Sequence, residues 1–289
     1  MRIVATIMVL ALAGAADPAS AGAARSAGVA RSGCAERATP MLPASLFDGS
    51  LDVPRKPTPA EANLVLTGMA AAKEDTDSGD WAGLCRYRAA DWVMRAAGRL
   101  PRAAFMGDSI TDDWDDANPK LFAGEQVVDG LVDRGIGGQT TQQMLLRFSQ
   151  DVLALRPRAV HLLGGTNDIL AIGGTKEGIV TLADTEANIH AMIALAAGQG
   201  IAVVVGTLPP MAGVWDTKAR RAAILELNAW LRATARKEAL GLADYHAVLT
   251  DRRGAFKVNL TIDGIHPNRV GFLLMEQLMG VALGRALPE

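Results

Sequence analysis

The chain has 289 residues, 49% of them hydrophobic, and its 29 basic side chains nearly balance 31 acidic ones, for a net charge of -2. That is enough apolar chain to bury one sizeable core, so a single α/β domain is expected and a second large domain is not required. The balanced charge gives no electrostatic reason to propose nucleic acid, which needs a concentrated basic face, and no nucleic-acid partner is expected.

Taken in chain order, the first element is a leader. Arg2 precedes a short apolar run over residues 3–13, and Ala19-Ser20-Ala21 supplies the small-x-small pattern of a cleavage site, so residues 1–21 read as a secretory signal peptide. The run is shorter than the ~20 residues of a membrane span. Export to a periplasmic or extracellular location is therefore expected, with no stable membrane span after cleavage. Residues 22–60 are rich in Ala, Arg, Ser, Gly and Pro without periodicity and read as a flexible leader. The domain proper is expected over residues 61–289, opening with a helical extension over 61–99. Cys34 and Cys85 can form one disulfide in an exported chain; alternatively Cys85 is simply packed on the apolar side of a helix.

Organised sequence begins near Asp80, a candidate N-cap. Trp81, Leu84, Cys85, Trp92, Val93 and Ala96 follow at helical spacing, and Gly98 can end the helix. Beyond it, strand-like stretches at 103–106, near Leu131, at 160–163, 201–205 and 242–245 alternate with helical patterns at 141–155, 184–197, 217–239 and 270–283. Compact apolar strands separated by amphipathic helices imply a parallel sheet covered on both faces, because parallel strands need crossover connections that lay helices over the sheet. The fold class expected is thus α/β, a three-layer, flavodoxin-like doubly wound parallel sheet of about five strands. Ligands in such folds bind outside the carboxyl ends of the strands.

Three successive strand ends carry chemistry. The first runs into Gly107-Asp108-Ser109-Ile110-Thr111, which brings a serine hydroxyl to that edge; alone, such a serine is ordinarily a turn or cap residue. The second runs into Asp133-Arg134-Gly135-Ile136-Gly137-Gly138-Gln139-Thr140-Thr141, glycine-rich sequence at a helix start, where exposed N–H groups favour negative charge. A nucleotide site is a poor fit, because Thr140 stands at the third glycine of a G-x-G-x-x-G pattern and no lysine follows. The third runs into Gly164-Gly165-Thr166-Asn167-Asp168 and adds an amide donor. Near the C-terminus, Asp263-Gly264-Ile265-His266-Pro267-Asn268 holds a carboxylate and an imidazole three residues apart, close enough for the acid to bind one ring nitrogen while the other faces a hydroxyl. His161, His190 and His246 lack such partners in sequence and read as structural, with Asp244 beside His246 a minor alternative.

These four blocks, in this order from about Leu100 onward, resemble the SGNH (GDSL-like) hydrolases. Among them the chain looks closest to bacterial members similar to platelet-activating-factor acetylhydrolase subunits, which share the Gly-Ile-Gly-Gly block and a turn like Leu208-Pro209-Pro210. Asp133 and Gln139 depart from the residues common there, Asn and Asp, and are expected to affect substrate choice more than chemistry. The resemblance implies a serine esterase with Ser109 as nucleophile, His266 as base and Asp263 as its orienter. The N–H groups of Ser109 and Gly138 and the side chain of Asn167 would form the oxyanion hole. It implies no metal and no cofactor. The expected substrate is a small-molecule or glycan ester with a short acyl group. Lysophospholipase or thioesterase activity, or a non-catalytic ligand-binding module on the same architecture, are the alternatives. Trp114 and Trp215 either flank the site or are buried packing.

Overall fold

The computed structural model describes residues 80–122, 130–172 and 180–287. The expected signal peptide, the expected 22–60 leader, the first part of the expected extension (61–79) and Cys34 lie outside the described residues. Cys85 is disulfide-bonded.

Five strands, β1 (Ala103–Gly107), β2 (Leu131–Gly135), β3 (Ala159–Leu163), β4 (Ala202–Gly206) and β5 (Gly241–Ala243), form one parallel sheet in the order β2-β1-β3-β4-β5. Strands β1 and β3 are buried along their whole length, which is why they read as continuous apolar runs rather than alternating ones. Helices precede, separate and follow the strands in sequence: α1 (Arg88–Ala96), α2 (Ser109–Ala117), α3 (Thr141–Asp151), α4 (Thr166–Ala171), α5 (Leu182–Ala197), α6 (Lys218–Lys237), α7 (Tyr245–Leu249) and α8 (Arg269–Ala286). The side-chain alternation of β1 divides the core. Ala104 and Met106 join the cluster under α3, α5 and α6 with Met144, Phe148, Met192 and Leu227. Ala103 and Phe105 join the cluster under α2 and α8 with Trp114, Phe272 and Met275. This is the three-layer arrangement expected from the sequence. Because β1 lies between β2 and β3, the chain leaves the sheet to opposite sides at its carboxyl edge, which opens a crevice there.

Capping explains several helix starts. Asn268 Oδ1 accepts from the Gly271 N–H at 3.0 Å, and the Thr181 hydroxyl accepts from the Asp184 N–H at 3.1 Å. Two expectations need correction. The helix expected from Asp80 starts at Arg88 instead, because Gly83 takes φ +67 and breaks the right-handed path. The Asp80 carboxylate caps a turn, accepting from the N–H groups of Leu84 and Cys85 at 2.8 Å each. Its supposed apolar face is also turned outward: Trp81, Leu84, Trp92 and Val93 are exposed, while Asp91 and Met94 are buried. The fifth strand stops at Ala243, and Tyr245 begins α7. Among the described residues, no helix is long and apolar enough to cross a membrane.

Candidate active site

The serine sits where β1 hands over to α2. A side chain on Gly107 would meet Thr111 Oγ1 at 1.9 Å and the Leu163 carbonyl at 2.7 Å, so only glycine lets the helix press this closely on the strand end. Asp108 caps α2 by accepting from the Ile110 N–H at 3.0 Å. Burial raises its pKa to about 6 against the opposing pull of that bond and of His266. Ser109 is the first helical residue, so its own N–H has no intrahelical acceptor. It is 3% exposed.

Its hydroxyl lies 2.9 Å from Nε2 of His266, whose Nδ1 lies 2.8 Å from Oδ2 of Asp263. The loop carrying these two residues is fastened by short-range bonds. Asp263 Oδ1 accepts from the N–H groups of Ile265 and His266 at 2.9 and 2.8 Å. The Thr261 hydroxyl donates to the His266 carbonyl at 2.8 Å and accepts from the Gly264 N–H at 2.9 Å. Burial opposes charge on Asp263, but His266 and those N–H groups hold its carboxyl below the ordinary range. Burial alone would likewise depress His266. The charge and hydrogen bond of Asp263, supported by Asp113 and Asp108, overrule it and raise the imidazole to about 9.

The second group of expected residues gathers around the β2–α3 loop. Gly138 is exposed, with φ +77, in a turn closed by the Gln139 N–H on the Ile136 carbonyl at 3.3 Å. The Asn167 side chain donates to the Gln139 carbonyl at 3.0 Å, next to Gly138. An amide has two N–H bonds, so one remains for another acceptor. The loop is stitched to the serine's surroundings: the Ile136 N–H donates to the Gly107 carbonyl at 3.2 Å and the Gly137 N–H to Asp112 at 3.1 Å. The structure therefore joins Ser109, His266 and Asp263 directly, sets Asn167 beside Gly138, and ties that pair's loop to the end of β1 and to α2.

Asp133 and Gln139, the two departures from the family's common residues, are both engaged in bonds within the protein. Asp133 accepts from the Gly135 N–H at 2.8 Å and from the Tyr87 hydroxyl at 3.2 Å. The Gln139 amide, 3% exposed, donates to the Ala82 carbonyl at 2.8 Å and accepts from Arg147 at 2.6 Å. Arg147, fully buried, also reaches Asp151 at 3.1 Å and the Gly107 carbonyl at 3.0 Å. Asp168 anchors the start of α3 by accepting from the Thr141 N–H and hydroxyl at 2.9 and 2.7 Å. Sequence reasoning gave Arg147 and Asp168 no such role. Asp113, also missed, had a usable signal: it stands four residues after Ser109, on the same face of any helix starting there.

The remaining candidates separate cleanly. Trp114 is wholly buried, donates from Nε1 to Glu276 at 3.1 Å and packs among Phe105, Phe122, His161, Tyr245 and Phe272; it is core. Trp215 is half-buried near Gly264, in a loop whose Ala212 N–H donates to the Gly264 carbonyl at 2.8 Å. His161 bonds the Tyr245 hydroxyl at 2.8 Å in the core, and burial lowers its pKa to about 3. His190 pairs with Glu238 on the surface. His246 meets Thr250, while Asp244 is held by Arg232 and Thr207 rather than by that histidine.

Such a set can carry out acyl transfer: a hydroxyl on an oriented imidazole, with a loop carrying N–H donors tied to the same strand end. Residues 105–273 match the model of the GDSL-like lipase/acylhydrolase family. Among solved structures, a Bacteroides fragilis protein assigned as an acylhydrolase is 34% identical, covering 71% of this chain and 97% of its own, with a TM-score of 0.61. A GDSL-like lipase of Bacteroides thetaiotaomicron is 30% identical over 71% of this chain and 99% of its own, with a TM-score of 0.62. An acetylxylan esterase of Geobacillus stearothermophilus shares the fold at 19% identity, covering 66% of this chain and 97% of its own, with a TM-score of 0.52. No curated protein matches the chain.

Proposed function

Because this chain belongs to the GDSL-like lipase/acylhydrolase family, we propose that it is an exported serine esterase that removes short acyl groups, acetyl among them, through an acyl-enzyme. The observation that carries this reading is the unbroken path from Asp263 through His266 to Ser109, at 2.8 and 2.9 Å.

Asp263 accepts a hydrogen bond from Nδ1–H, so in the neutral ring Nε2 presents a lone pair to the hydroxyl. As Ser109 Oγ attacks the ester carbonyl carbon, its proton passes to Nε2 and the carbonyl electrons move to oxygen. That oxyanion is held by the N–H groups of Ser109 and Gly138 and the second N–H of Asn167. His266 then returns its proton to the leaving alcohol, and water repeats the sequence to free the acid.

The acyl group is proposed to be short because Ser109 and His266 are only 3% and 4% exposed, a narrow opening for a long chain. Carbohydrate esters are the proposed class. Trp215 at the histidine loop, beside the 84% exposed Val214, offers an apolar rim for a sugar ring. The Gly135-Ile136-Gly137-Gly138 block and Leu208-Pro209-Pro210 support the finer likeness to platelet-activating-factor acetylhydrolase subunits. Export rests on Arg2, the apolar run after it and Ala19-Ser20-Ala21.

The test is a substrate panel at fixed pH. Acetylated oligosaccharides and p-nitrophenyl acetate should turn over at least about 100-fold faster than a long-chain lipid ester or an acyl thioester, a discrimination of a few kcal/mol. Equal or faster turnover of the long-chain or thioester substrates contradicts the short-acyl reading.

A further inference from the structure

One turn of α2 beyond the serine, Asp113 is fully buried, and neither carboxyl oxygen has a hydrogen-bond partner among the described residues. Its Oδ2 lies 4.0 Å from Nε2 of His266. Buried polar groups are nearly always paired, so a carboxyl kept in this state calls for a reason. Packing supplies none that an asparagine or a small apolar residue would not supply as well.

The surrounding charges narrow the reason down. On α2 itself, Asp112 is bonded to the Gly137 N–H and to Arg86, which reaches Asp112 rather than Asp113. Asp112 and Asp116 on the helix, and Asp263 from the histidine loop, all oppose a charge on Asp113; His266 alone among its named neighbours favours one. Glu276 of α8, the helix packed on this side, is turned to Trp114 and Asn118. Burial pushes the Asp113 carboxyl well above the ordinary carboxylate range, and His266 pulls it back. A carboxylate here is tolerated only opposite a positive imidazole.

We propose that Asp113 is a second positioning carboxylate for His266, facing the ring nitrogen that Asp263 leaves free and favouring the imidazolium that forms when Ser109 gives up its proton. The proposal rests on the serine-esterase reading and adds a residue outside the Ser109–His266–Asp263 path. In the step it serves, the Ser109 O–H bond breaks, its proton goes to Nε2, and the oxygen's electron pair forms the bond to the acyl carbon while the carbonyl π pair moves to oxygen. Asp113 makes no bond to the ester in this step; the negative charge it carries opposite the imidazolium makes the ring a stronger base. The two groups titrate as a pair.

The experiment compares the full chain with Asp113→Asn, which keeps the shape and removes the charge. The ring of His266 is titrated by NMR, and the pH profile of kcat/KM is measured on p-nitrophenyl acetate. With one opposite charge gone, the His266 titration and the acid limb of the profile both move down by about 1 pH unit. The Tm of D113N stays close to that of the wild type, since the amide keeps the size and shape of the buried group. Coincident titrations in the two proteins overturn the proposal, because a merely space-filling Asp113 leaves His266 unmoved. If the titration shifts while the wild type cleaves no ester, the pairing stands and the esterase reading falls; if ester is cleaved with no shift, the esterase reading stands and the pairing falls. Should D113N not fold, Asp113→Ser is read by the same criteria. Failure of both to fold assigns the residue to the core and overturns the proposal.

Discussion

Two loops build this site, and they are held in opposite ways. The histidine loop fastens itself: Thr261, Asp263, Gly264, Ile265 and His266 bond one another within five residues of sequence. The Gly135–Gln139 loop is held from afar. Tyr87 binds the Gly135 carbonyl and Gln139 reaches back to Ala82, while Arg147 and Asn167 approach from later helices. Beneath it, the buried Asp91 accepts from Arg134 of β2 at 2.6 and 3.0 Å and fixes the 88–96 helix against the edge strand. A loop fastened mainly by its own residues, with one remote tie from the Ala212 N–H to the Gly264 carbonyl at 2.8 Å, is most readily cut at those residues. A loop held by remote partners can be loosened from outside the site.

The largest expected effect tests the first half of that contrast. Asp263→Asn keeps the loop's shape but favours the wrong imidazole tautomer, and kcat should fall about 10⁴-fold with little change in KM. Steady-state kinetics on a short-chain ester checks this, and a loss under tenfold would remove Asp263 from its proposed role. Next in size is Gln139→Ala, which unties the second loop from Ala82 and Arg147 without touching the proposed nucleophile, base or orienter. A displaced oxyanion donor should lower kcat by about 10- to 100-fold. If Q139A matches wild type, the remote ties are dispensable and the contrast fails.

The smallest effect concerns pH. His266 acts as a base only when neutral, and its neighbouring carboxylates raise its pKa to about 9, so the neutral fraction grows as pH rises. Activity should therefore climb through the alkaline range and fall on acidification, with a midpoint above the ordinary histidine value of about 6.5. A kcat/KM profile centred at or below that value contradicts the field described around the ring.

The same contrast explains how much could be read in advance. Gly107-Asp108-Ser109 and Asp263 to His266 were legible because their geometry follows from a strand end, a helix start and a three-residue spacing. The parallel sheet was legible because alternating apolar strands and amphipathic helices leave few other arrangements. What escaped depends on distance in sequence. Nothing near Gln139 announces that its amide joins Ala82 to Arg147. Periodicity placed Trp92 and Val93 inward, yet α1 packs through Met94 and the Asp91–Arg134 pair, a partnership 43 residues long that no local pattern encodes. For Trp114 the sequence leaves a site wall and buried packing both open, and its cluster with Phe272 and Met275 of α8 decides for packing.

The proposal stands or falls on Ser109, and covalent labelling tests it most directly. Treated with a serine-directed fluorophosphonate, the wild-type chain should gain one adduct on the peptide containing Ser109 and lose ester turnover in proportion. Ser109→Ala should take no label and retain less than about one part in 10³ of the activity. Adduct on another residue, or full turnover by S109A, would contradict the account.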